Sequence, residues 1–141
     1  MQPYQDQAQS FKVLMHPTRL AILDILREGE QCVCHMEAYL GLRQAYISQH
    51  LMVLRDAGWV TDRREGWNIF YRVSKPEIYQ VMDAMNAFSV VVGGAQAGDI
   101  RPNAKPPANQ RTCPCPKCNP GAESTRYETP DLSLNKVETA A

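Results

Sequence analysis

Between His16 and Gly94 the spacing of apolar residues passes from helical to alternating and back to helical. In "PTRLAILDILREG", Pro17 stands where a helix opens; Leu20, Ile22, Leu23, Ile25 and Leu26 follow, and Gly29 stops the run, which predicts a buried helix. "VCHMEAYLG" reads as a short helix closed by Gly41, and "LRQAYISQHLMVLRDAG" as a longer one closed by Gly58, so a tight turn joins two helices. On the longer helix Ile47, Leu51 and Leu54 repeat at four and three residues and are expected to face the core. After Gly58 the period becomes two. "VTDRR" and "WNIFYRVS" form a hairpin in which Trp67, Ile69, Tyr71 and Val73 share a face and Gly66 supplies a positive φ. Trp59 and Trp67 are expected to pack this hairpin onto the helices. From Pro76 helical spacing returns, with Ile78, Val81, Met82, Met85, Phe88, Ser89 and Val92 on one seam until Gly93 and Gly94.

Helices, a turn, a hairpin and a closing helix, in that order, predict a mainly α fold with a small β-hairpin: a winged helix-turn-helix, whose second helix enters the DNA major groove. Ala45, Tyr46, Ser48, Gln49 and Met52 are left outward on that helix. Tyr46, Ser48 and Gln49, with Arg43 and Gln44 at the helix start, are the expected groove-facing residues, and Arg63 and Arg64 on the wing the expected phosphate contacts. The α-helical seam of Ile78, Val81, Met85, Phe88 and Val92 is too apolar for an exposed helix and predicts a homodimer interface.

Composition adds a boundary. Seven of the ten prolines lie beyond Ala95, and apolar periodicity ends there, so residues 1–94 are expected to form the DNA-binding and dimerisation domain and residues 95–141 a flexible tail. The start "MQPYQDQAQSFK" has no apolar stretch of the kind an export signal needs, and 18 consecutive apolar residues occur nowhere, which leads us to expect a cytoplasmic protein without a membrane partner. Whole-chain charge is zero, with 15 basic and 15 acidic residues, so a nucleic-acid signal has to be local. It is: five arginines face three acids between positions 42 and 73. No phosphate-cradling glycine loop and no catalytic constellation accompany these residues, and an enzyme is not expected.

Five cysteines remain. In a reducing cytosol an odd number of them reads as metal or redox chemistry rather than a disulfide framework. Cys32 and Cys34 lie at the start of the short helix, and Cys113, Cys115 and Cys118 crowd into "TCPCPKC" in the tail, where no core is available to bury them. Residues two apart on a regular helix diverge by about 200°, so Cys32 and Cys34 can share one ion only if the helix start is distorted. A third sulfur from the tail can complete their site, or the tail triplet can form its own; the residues leave both open. Cys115 with Cys118 also forms a C-x-x-C pair suited to redox chemistry.

The stretch "LRQAYISQHLMVLRDAGWV", preceded by "HPTRLAILDIL" and "CVC", resembles the ArsR/SmtB family of bacterial metal- and metalloid-sensing repressors over roughly residues 8 to 92. Ser48, His50, Leu51, Leu54, Ala57 and Gly58 match that family's recognition helix, and Cys32-Val33-Cys34 matches the thiolate pair of its arsenic, cadmium and lead sensors. The resemblance implies a dimeric repressor that leaves double-stranded operator DNA when its ligand binds. His35 departs from the usual Asp, the N-terminus lacks the extra cysteines of cadmium and lead sensors, and the last helix lacks the paired histidines of zinc sensors. Soft thiolates then favour As(III) or Sb(III) as inducer, ahead of Cd(II), Pb(II) or Zn(II). A thiol redox-switched repressor and a thiolate metal carrier are the alternatives. His16 is expected to cap or pack, His50 to be structural, and His35 either to assist the thiolates or to lie in solvent.

Overall fold

The computed structural model describes residues 1–93 and Cys113. Its elements are α1 (Gln2–Leu14), α2 (Pro17–Ile25) running into a 3-10 turn (Leu26–Glu28), β1 (Gln31–Cys32), α3 (Val33–Leu40), α4 (Gln44–Asp56), β2 (Val60–Glu65), β3 (Asn68–Val73) and α5 (Ile78–Gly93). The strands form one antiparallel sheet in the order β1-β3-β2. Helices, hairpin and closing helix stand in the anticipated order, whereas α1 and β1 are additions. The proposed boundary at residue 94 and the tail beyond it, Cys113 excepted, lie outside the described residues.

The turns follow from local chemistry. His16 caps α2 with extended angles, its Nδ1 accepting the Thr18 amide at 3.2 Å, and Pro17 fits the first helical position because it has no amide to leave unpaired. Gly41, with φ 65° and ψ 21°, ends α3 in the left-handed conformation that side chains disfavour and turns the chain into α4. Ile22 and Leu23 of α2, Met36 of α3, Ile47, Leu51 and Leu54 of α4 and Val60 of β2 are fully buried together. Each such aliphatic side chain stabilises the fold by about 1.5–3 kcal/mol. Leu20, grouped with the buried α2 residues by its apolar character, lies on the outer side of the helix.

The hairpin is fastened to the end of α4. Trp59 is buried in the core, its carbonyl accepts the Ser74 amide at 2.9 Å, the Ser74 hydroxyl donates to the Gly58 carbonyl at 2.8 Å, and Arg55 pairs with Asp62 at 3.8 Å. Glu65 pairs with Asn68, leaving Gly66 and Trp67 as a two-residue turn; a positive φ of 59° at Gly66 alone makes it the type whose twist suits a hairpin. Trp67 therefore does not pack onto the helices as the alternating pattern suggests. It stands in the turn, 87% exposed, because β3 begins one residue later. Ile69, Tyr71 and Val73 do face the helical core, while Phe70 is buried on the opposite side of the sheet.

The α5 seam divides. Ile78, Tyr79 and Met82 pack onto the chain's own core, and Tyr79 donates its hydroxyl to the Leu23 carbonyl at 2.9 Å. Arg27 pairs with Asp83 at 2.9 Å and lies over the Tyr79 ring, holding the start of α5 to α2. Val81, Met85, Phe88 and Val92 point outward, with Phe88 59% exposed.

Candidate thiol site and DNA-reading surface

The corner between β1 and α3 builds a thiol site. Cys32 ends β1 and caps α3 with extended angles of φ −81° and ψ 159°, while Cys34 sits within the first turn. Because Cys32 is not helical, its side chain escapes the divergence of two neighbouring helical positions and turns back over the helix start. There its Sγ accepts the His35 amide at 3.2 Å, at the end of the helix that favours negative charge. Cys113 arrives from the tail, its Sγ 3.3 Å from that of Cys34 and 3.5 Å from that of Cys32. The three sulfurs all lie within 4.8 Å of one another.

Cys32 and Cys113 are buried, Cys34 is half-buried, and Phe70 and Ala38 pack against them, so the cluster is walled on one side and open at Cys34. Where the sequence leads us to expect thiols alone, Cys32 and Cys34 are joined here as a disulfide with Cα atoms 5.3 Å apart, a pairing the strand-to-helix corner brings within reach. Reduced, the same residues present three sulfurs and no oxygen or nitrogen ligand. Two sulfurs sharing an ion at about 2.3 Å each can stand no more than about 4.6 Å apart, and both gaps to Cys113 lie inside that limit. The donor set thus suits a thiophilic ion. His35 is not in the cluster; its ring stacks on Tyr39 with centroids 5.9 Å apart. Cys115 and Cys118 lie outside the described residues.

On α4, Arg43 caps the helix, Gln44 opens it, and Arg43, Gln44, Tyr46, Gln49 and Met52 are exposed, with Ser48 half-buried. His50 is structural: its ring lies 4.2 Å from that of His16 and 4.7 Å from that of Tyr46. On the wing the two arginines differ. Arg63 donates to Glu30 at 2.5 Å and Glu65 at 2.7 Å and lies over the Phe70 ring, so its charge is locally matched. Arg64 has no ion-pair partner among the described residues.

Residues 16–62 match the model of the bacterial regulatory protein, arsR family. The crystal structure of the transcriptional repressor BigR from Xylella fastidiosa superposes with a TM-score of 0.57 at 35% identity, covering 67% of this chain and 93% of that one. The chain belongs to the ArsR family. Among ArsR relatives it is 49% identical over 76 residues to the arsenic resistance transcriptional regulator ArsR1 of Pseudomonas putida, a match covering 53% of this chain and 59% of that protein. The homodimeric winged helix-turn-helix DNA-binding domain Mb0332 from Mycobacterium bovis matches with a TM-score of 0.56 at 26% identity, over 66% of this chain and 87% of that one. The chain is accordingly of the ArsR type; these relatives are described as transcriptional or DNA-binding regulators, and the chain spans about three fifths of the length of ArsR1. Sequence reasoning missed Glu30 and Phe70. Glu30 carries no motif, and Phe70 is off the period-two face that was read as core.

Proposed function

We propose that this repressor binds operator DNA as a homodimer through α4 and the wing, and lets go when As(III) or Sb(III) is held by Cys32, Cys34 and Cys113. The convergence of these three sulfurs carries the reading. The arsenic resistance regulator among its relatives supports the choice of ion. Arsenous acid meets three reduced thiols without any change of oxidation state: three As–S bonds form, and three hydroxyls leave as water with the thiol protons. Zn(II) favours a fourth ligand, which this cluster does not offer among the described residues.

Release follows from linkage. A ligand shifts DNA binding only by binding the free conformation more tightly than the DNA-bound one. Cys32 belongs at once to the sheet that carries the wing and to the cap of α3, the first helix of the helix-turn-helix. Binding that withdraws its sulfur from the His35 amide loosens that cap and disturbs both DNA-facing elements. For the dimer, the outward part of the α5 seam, Val81, Met85, Phe88 and Val92, is the contact surface. Tyr4 and Phe11 of α1, with Met15 at its C-terminal cap, are exposed large side chains that extend the apolar surface available to it. No helix among the described residues is long and apolar enough to cross a membrane.

Arsenic-edge X-ray absorption on the reduced full chain tests the site, with a shell of three sulfurs expected. A shell dominated by oxygen contradicts it. The Cys32–Cys34 disulfide favours one second reading, a redox-switched repressor. A hydroperoxide would take two electrons and two protons from the thiol pair and leave as alcohol and water. DNA release by a hydroperoxide but not by arsenite under reducing, anaerobic conditions selects that reading.

A further inference from the structure

We infer that Phe70 is the residue that sets the ion specificity of the thiol site: its ring bars an oxygen ligand from the three sulfurs and so restricts the site to ions satisfied by three thiolates. The inference rests on the three-thiol reading above and adds to it the residue that decides which ions are refused. Phe70 is 4% exposed and packs against Cys32 and Cys113, with Ala38 beside them. Neither a phenyl ring nor a methyl group can ligate an ion or hold a water.

The ring has polar groups behind it. Across the sheet Cys32 stands opposite Phe70 and Phe70 opposite Arg63, so the three side chains form one row on one face, with the ring in the middle. The Arg63 guanidinium lies over that ring and is bound to Glu30 and Glu65. Phe70 thus separates soft sulfurs from a pair of hard carboxylates. The other donor near the cluster, the His35 ring, is stacked on Tyr39. With the ring removed, the vacated volume joins the sulfurs to the Glu30–Arg63 pair. A water placed there can bond to the ion and donate to the Glu30 carboxylate, or the carboxylate can reach the ion itself. Either gives Zn(II) the fourth ligand that it favours, an oxygen. Arsenite, complete with three sulfurs, gains nothing from it. The apolar shell of a metal site acts in this way, by controlling access of solvent to the ion.

The test uses the full reduced chain carrying Cys115→Ser and Cys118→Ser throughout, so that only the clustered sulfurs report, and two probes, Zn(II) and arsenite. Zinc affinity is read by competition with a chromophoric zinc indicator, and both coordination shells by X-ray absorption at the zinc and arsenic edges. We expect Phe70→Ala to bind Zn(II) about tenfold more tightly than the Phe70 chain, through three sulfurs and one oxygen, while arsenite binding stays near its original value. Phe70→Leu, which keeps an apolar cover, should behave as Phe70 does. If Phe70→Ala lacks a cooperative urea melt, Phe70→Val, smaller than Phe and suited to a strand, takes its place with the same expectation. Equal zinc affinity with and without the ring overturns the inference, as do zinc and arsenite affinities that move together, the mark of a merely structural role. Both of those results leave the three-thiol reading standing. An arsenic shell dominated by oxygen in the Phe70 chain removes that reading and the inference with it.

Discussion

Cys32 and Phe70 stand opposite one another across the β1–β3 ladder, which puts the thiol site on the back of the wing. The Phe70 ring packs against Cys32 and Cys113, and the Arg63 guanidinium lies over that ring, 5.2 Å from its centroid. Glu30, two residues before Cys32, holds Arg63 from the other side. A ligand that reshapes the sulfurs therefore acts directly on the strand pair that carries the wing arginines.

Removing the Glu30 charge tests this link. In Glu30→Gln, Arg63 loses one of its two carboxylates, and we expect tighter operator binding with a log–log salt slope steeper by up to about one phosphate contact. Stability should change little, because Arg63 is exposed and solvent screens the pair. A salt titration of operator affinity reads the slope; an unaltered slope shows that Arg63 is irrelevant to DNA.

Gln49 and Leu51 lie two positions apart on α4 but face opposite ways. Gln49→Ala should weaken operator binding by about 1–3 kcal/mol and relax one base preference while leaving the melting curve unchanged. Leu51→Ala should cost about 2–5 kcal/mol of folding stability. Paired urea melts and binding isotherms separate the two effects, and a Gln49 variant with parental affinity and specificity would remove that residue from the groove.

Phe88 is exposed on the outward half of the α5 seam. A charge placed there has to be buried against a twin if that seam is the dimer contact, so Phe88→Asp should shift the chain to a monomer of weakened operator affinity. Sedimentation velocity shows the mass; a persistent dimer places the interface elsewhere.

Acid should loosen the contact between α2 and α4. Burial, with the charges of His16 and Arg19, lowers the His50 pKa. His16 accepts the Thr18 amide through Nδ1, and Tyr46 covers the His50 ring from its own helix. A depressed imidazole pKa favours the neutral form in the folded state. Its stabilising contribution is thus full above the unfolded value of about 6.5 and is lost as pH falls from there through the folded value. Urea melts between pH 7.5 and 5 should show that decline, flattened in His50→Gln; equal pH dependence in the two proteins shows that His50 is not its source.

Much of this was legible because apolar period dictates burial: Ile47, Leu51 and Leu54 are fully buried as their spacing requires, and Gly41, Gly58 and Gly66 take the positive φ that the turns need. α1 was not legible, because it is polar nearly all round and buries only Val13. β1 is too short to show a period, being two residues held by Phe70 and Tyr71 of a strand far along the chain. Without β1 the corner that lets Cys32 and Cys34 converge is invisible, as is the approach of Cys113, which bridges 79 positions to reach Cys34. Trp67 was misplaced by one residue of strand register, and in a period of two that single step exchanges a packed face for an exposed turn.

Arsenite-driven release from DNA tests most directly whether Cys113 completes the proposed sensing site. Operator-bound reduced protein is titrated with arsenite under anaerobic conditions, and release is followed by fluorescence anisotropy for the parent and for Cys113→Ser. We expect the parent to leave the DNA, and Cys113→Ser to bind operator normally yet release only at far higher arsenite or not at all. Release of Cys113→Ser at the parental arsenite concentration would contradict a three-thiol sensor.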